Sequence, residues 1–185
     1  MTESDAPVIR FLRRLAACWG LAGVFALLSY PVYRLSAFAW QALTHPLTVW
    51  QAVLLLLFAA FMAYSEGYQG FQKGFSPRVA ARALYLSRAA GLRNGLLAPL
   101  FCMGYFGTTR RRQISAIVLS LMIVLLVMIV SRLPQPWRGM VDAGVIIGLM
   151  WGQVSLLCFV WQAFFGNHFD HSPELPEPAP GSGTT

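Results

Sequence analysis

Four long apolar runs divide this chain, at residues 15–33, 47–64, 114–130 and 140–165. Each is about as long as a helix needs to cross the hydrocarbon layer, roughly 20 residues at about 1.5 Å of rise apiece. The pattern predicts an all-α, polytopic helical membrane protein. A single membrane domain over 1–165 holds four transmembrane helices, with a cytoplasmic loop over 65–113. The tail, 166–185, is rich in Pro, Gly, Ser and Glu. It carries too little apolar surface to offset the entropy of ordering and is predicted to be disordered.

The loop over 65–113 has patterning of its own. Ser76-Pro77 reads as a helix start, since serine caps free N–H groups and proline fits the first helical position. Gly91 reads as the stop. Between them Val79, Ala80, Ala83, Leu84 and Ser87 form a weakly apolar face, with Arg78, Arg82, Tyr85 and Arg88 broadly opposite. That is the pattern of a basic amphipathic helix lying among lipid headgroups. Residues 95–107 are apolar but too few to span, and Pro99 sits in their middle. They are expected to be interfacial or re-entrant rather than a fifth span.

Charge orients the four helices. Of the fourteen Lys and Arg residues, eleven fall before the first run or between the second and third; only Arg34, Arg132 and Arg138 fall elsewhere. Basic residues in short loops resist translocation, so both termini are expected in the cytoplasm. Tyr30, Tyr33, Trp40, Trp50 and Trp137 cluster at the far ends of the runs, where aromatic rings favour the headgroup layer. The first run exceeds the usual signal-peptide core of about 7–15 residues and reads as a retained helix.

Composition sharpens this picture. A chain that is 57% hydrophobic and 11% charged has too little polar surface for a water-facing globule. The net charge of +7 flanks apolar runs and so reads as a topology signal, not a nucleic-acid footprint. Cys18, Cys102 and Cys158 each stand alone in apolar sequence and read as small hydrophobes. Thirteen arginines against one lysine, with abundant Ala, Leu and Gly, suggest a bacterial source and hence the inner (plasma) membrane.

Against this background, small and polar residues mark candidate contacts. Gly144, Gly148 and Gly152 recur on one helix face, where a second backbone can approach closely. A second glycine-dense stretch holds Glu66, Gly67, Tyr68, Gly70 and Phe71, then Gly74 and Phe75. At α-helical spacing, Tyr64, Tyr68, Phe71 and Phe75 make one aromatic stripe. Together with Arg78, Arg82 and Arg88, this stretch is the candidate surface for lipid or a partner. Ionisable residues inside spans usually mark transport or redox chemistry. Here Asp142 is expected to pair with Arg138, and Gln153 to make an interhelical hydrogen bond. His168, Asp170 and His171 fall in the predicted tail, so no metal or other cofactor is expected.

These features predict a non-enzymatic integral membrane protein that binds, scaffolds or assembles other membrane components. Its expected partners are the bilayer, especially anionic lipids, and a membrane protein or second copy, without nucleic acid. The alternative is an oligomeric small transporter or channel component. An enzyme acting on lipid through Glu66 is disfavoured, because one carboxylate with no partner base makes a poor acid–base apparatus.

Overall fold

Long helices account for nearly all of the regular structure. The computed structural model describes residues 7–89, 92–166 and 169–175, and no strand occurs among them. Helix α1 spans Pro7–Thr44, α2 Val49–Met62 and α3 Ser76–Ala89. Between α2 and α3 the chain continues without a break as thirteen residues of π-helix, Ala63–Phe75. Short helices α4 (Leu92–Leu96) and α5 (Ala98–Met103) follow, then α6 (Arg110–Val130) and α7 (Trp137–Phe165). Four helices are long and apolar enough to cross a membrane: α1, the continuous Val49–Arg88 helix, α6 and α7.

The helices outrun the apolar runs that announce them. α1 continues through Thr44, where the sequence suggested a loop from Arg34, because Ala39 and Ala42 are buried. A Cβ on Gly139 of α7 would lie 2.4 Å from the Ala42 Cβ and 2.4 Å from the Phe38 carbonyl oxygen. That close approach gives the end of α1 a surface to pack on. α2 begins at a capping box: the Gln51 N–H donates to Thr48 Oγ1 at 3.4 Å, and the Thr48 N–H donates to Gln51 Oε1 at 2.9 Å. The connection between the two helices therefore shrinks to 45–48.

α1, the Val49–Ala89 helix and α7 pack into one body, with α7 parallel to α2 and antiparallel to α1. At its basic end lies a core of Ala17, Val24, Val79, Ala83, Leu86, Ala98, Phe101, Cys102 and Leu156. This core overturns the headgroup-helix expectation for α3. Ser76, Val79, Ala80, Ala81, Arg82, Ala83 and Leu86 are all buried, so the helix is packed into protein on most of its surface. α3 does begin at Ser76, but as a change of winding and not as a capped start, since Ser76 has ordinary α backbone angles inside a continuous helix. Pro77 has no N–H and would crowd the carbonyl four residues back in a regular α-helix; the wide π turns just before it give the ring room.

Within residues 95–107 no helix reaches spanning length; the segment folds as the short helix α5 and a turn. Ala98, Phe101 and Cys102 of α5 are buried against α1, where Cβ atoms on Gly20 and Gly23 would lie 3.2 Å from Ala98 Cβ and 2.4 Å from Pro99 Cγ. The tail differs too. Residues 169–175 are irregular but docked, with Leu175 against the core and His171 edge-on to Phe159 at 5.6 Å. The predicted disorder does not describe this stretch; His168 and 176–185 lie outside the described residues.

Helix α6 stands apart. None of its residues is buried.

Candidate functional site

The two glycine-rich stretches of the sequence meet. A Cβ on Gly144 would lie 2.5 Å from Phe58 Cε1, one on Gly148 3.2 Å from Glu66 Cβ, and one on Gly152 2.5 Å from Phe71 Cγ. From the other side, a Cβ on Gly67 would lie 2.8 Å from Trp151 Cγ. Trp151 is held there by its indole N–H, which donates to Gln72 Oε1 at 2.8 Å. The seam ends in a buried polar contact: Ser76 Oγ and Ser155 Oγ share a hydrogen bond of 2.7 Å, and Ser155 Oγ donates to the Gly152 carbonyl at 2.9 Å. Beside the seam, Gln72, Trp151, Ser155, Cys158 and Gln162 help line an open, mostly apolar groove of about 490 Å³.

The π-helix makes this registry possible. From Met62 to Phe71 is two and a half turns at about 3.6 residues each, but close to two turns at about 4.4. Wider winding thus brings Met62, Glu66 and Phe71 onto the face that meets α7. It also splits the aromatic stripe expected from α spacing. Tyr64 and Tyr68 stack on each other at 5.9 Å between centroids, while Phe71 and Phe75 meet edge-on at 5.5 Å as a separate pair. Lys73 lies 4.6 Å from the Tyr68 ring centroid. Gly70 is exposed, and a Cβ on Gly74 would lie 3.0 Å from Arg78 Nη2. Glu66 makes no hydrogen bond or ion pair among the described residues.

The three arginines of the candidate surface do not act together. Arg88 is exposed. Arg78 is half-buried, and its Nε donates to the Gly74 carbonyl at 2.5 Å. Arg82 is buried at 3% exposure, so its guanidinium faces protein and not an open surface. Its Nη1 donates to the carbonyls of Phe101 and Phe106, its Nη2 to Gly107 at 2.5 Å, and its Nε to Pro173 at 3.0 Å. The guanidinium also lies 4.6 Å from the Phe101 ring centroid. One cation thus closes the 101–107 turn, which needs positive φ at Gly104 and Gly107, and fastens the tail to it. Under this clasp, burial pushes the Cys102 thiol up to about 12, with the Arg82 charge opposing in part; it is an inert core group.

Residues that the sequence did not single out complete this end. Arg112 grips Glu174 with a fork, Nε to Oε2 at 2.8 Å and Nη2 to Oε1 at 3.1 Å. Thr108 Oγ1 donates to the Glu174 carbonyl at 3.1 Å. The Arg110–Arg112 triplet was the available signal, but it reads equally well as a topology marker.

At the opposite end Asp142 is buried, 3.8 Å from Arg138 Nε. That guanidinium stacks 3.7 Å from the Phe38 ring centroid. Gln153 departs from expectation: it is half-buried and has no hydrogen bond among the described residues. Comparison with protein-family models, curated proteins and solved structures finds no match to this chain.

Proposed function

We propose that this chain is a four-span, non-enzymatic membrane protein that binds a transmembrane helix of another membrane protein through α6. One observation carries the reading. α7 packs on both α1 and α2, whereas α6 buries no residue, and its large apolar side chains from Ile114 to Ile129 stay exposed. Among the described residues, polar contacts hold α6 near its base and middle, through the Arg112–Glu174 fork and a hydrogen bond between Tyr105 and Ser120. Opposite Ser120, Val118, Met122, Leu125 and Ile129 form an unbroken apolar face. Membrane helices associate by packing such faces, not by a hydrophobic drive. Gln153, with no hydrogen bond among the described residues, supports a partner as well, since a polar side chain in hydrocarbon favours an interhelical hydrogen bond.

The charge distribution supports an orientation with both termini in the cytoplasm, and the arginine-rich composition supports a bacterial inner membrane. Glu66, on which an enzymatic reading would rest, has no neighbouring base to work with. The test is native mass spectrometry of protein extracted in mild detergent, for the wild type and Met122→Trp. The wild type is expected as a complex of fixed composition. Met122→Trp should lose the partner yet melt as the isolated wild-type chain does, because α6 contributes no buried packing. A wild type recovered only as a single chain with bound lipid overturns the proposal.

A further inference from the structure

We propose that Arg78, Arg82 and Arg112 form a phosphate-binding site that the tail carboxylate of Glu174 occupies in this structure. The inference stands independently of any partner on α6. It starts from Arg82, whose charge is buried at 3% exposure while its direct partners are four neutral carbonyls, those of Phe101, Phe106, Gly107 and Pro173. A buried guanidinium without an anion retains a desolvation cost that neutral acceptors meet only in part. The Arg82 Nε holds the carbonyl of Pro173, the residue next to Glu174, and Arg78 stands one turn earlier on the same helix. The Glu174 carboxylate is already engaged by the Arg112 fork. Three arginines thus gather around a stretch of tail that offers one carboxylate, and among the described residues only Arg112 is paired with it.

The geometry suits a phosphate better than the group now filling it. A guanidinium fork matches two oxygens of a phosphate as well as it matches a carboxylate, and phosphate offers a third oxygen for another arginine. Arg78 gives only its Nε to protein, at 2.5 Å from the Gly74 carbonyl oxygen, and its two terminal nitrogens have no partner among the described residues. Glu174 meanwhile reaches its place through a backbone φ of 48°, which L residues other than glycine adopt sparsely. Its turn is braced by a hydrogen bond from its N–H to Ser172 Oγ at 3.1 Å. Arg112 lies just before the apolar run at 114–130. At that depth a phosphate can come from a lipid headgroup or from solution.

The experiment compares the full-length wild type with Glu174→Gln, a near-isosteric substitution that removes the internal competitor's charge and leaves the arginines in place. In one arm both proteins are extracted from nanodiscs containing phosphatidylglycerol, and retained lipid is counted by native mass spectrometry. In the other, both stand in phosphatidylcholine nanodiscs, and melting is followed as inorganic phosphate replaces chloride at constant ionic strength. Glu174→Gln is expected to bind about tenfold more tightly in at least one arm, with Arg112→Gln on top of it removing the gain. A gain in the first arm identifies the headgroup as source, and a gain in the second identifies the free anion. If Glu174→Gln matches the wild type in both arms, or the gain survives Arg112→Gln, the site is overturned.

Discussion

Replacing Gly152 with alanine tests the packing of the π-helix on α7 most sharply. The added methyl would lie 2.5 Å from Phe71 Cγ and 2.6 Å from Cδ1, about 1 Å inside ordinary carbon–carbon contact. Phe71 cannot swing freely, because its ring meets Phe75 at 5.5 Å. Overpacking of this kind costs about 1–3 kcal/mol, and the helix gains back roughly 0.5–1 kcal/mol when glycine becomes alanine. The net loss is about 1–2 kcal/mol, or a fall in Tm of roughly 2–8 °C for a chain of this size. Two companions calibrate it. At Gly148 the nearest atom is Glu66 Cβ at 3.2 Å, so a small shift suffices and alanine should be close to neutral. At Gly70 the nearest atom is the Ser65 carbonyl oxygen at 3.5 Å, an ordinary contact, so alanine should cost nothing. The assay is thermal denaturation in mild detergent, followed by loss of the monodisperse peak. The reasoning fails if Gly152→Ala melts at or above the wild type, or if Gly70→Ala falls as far.

Arg82→Ala strands three carbonyls of the 101–107 turn and should lower stability by about 1–3 kcal/mol for each one left buried without a donor, while exposed Arg88→Ala should stay within about 0.5 kcal/mol; equal melting of the two would refute the clasp. Deleting 169–185 removes the Pro173 and Glu174 contacts and should reduce Tm measurably, whereas an unchanged melting curve would mean the docked stretch carries no weight. A lipophilic maleimide should label exposed Cys18 and Cys158 but spare buried Cys102 until the protein is denatured, so prompt labelling of Cys102 would contradict its burial. Reporter fusions after His45 and Leu133 should read as external and fusions after Thr108 and Phe165 as cytoplasmic; an external signal after Thr108 would reverse the orientation.

The helical class and the four membrane-length helices were legible because length and apolarity alone specify them. The recurrence of Gly144, Gly148 and Gly152 is visible in the sequence, but their neighbours Phe58, Glu66 and Phe71 are not. Those neighbours fall on one face only at the π spacing, and no residue pattern announces that winding. Arg82 misled for a different reason. A charged side chain is exposed unless partners satisfy it, and its partners are backbone carbonyls of 101–107 and Pro173, which every sequence possesses. The docked tail is hidden in the same way, since Pro173 and Glu174 bind partly through their carbonyls. The bareness of α6 was also illegible: its composition suits a helix packed within the chain as well as one that is not.

The central claim, that α6 is a docking helix, is tested most directly by a photo-crosslinking scan in intact membranes. A photoreactive phenylalanine would replace Val118, Met122, Leu125 and Ile129 in turn, with Ala116 and Ser120 on the opposite face for comparison. The account predicts one discrete protein adduct from the first four positions and little from the other two. Adducts to lipid alone at all six positions would contradict it.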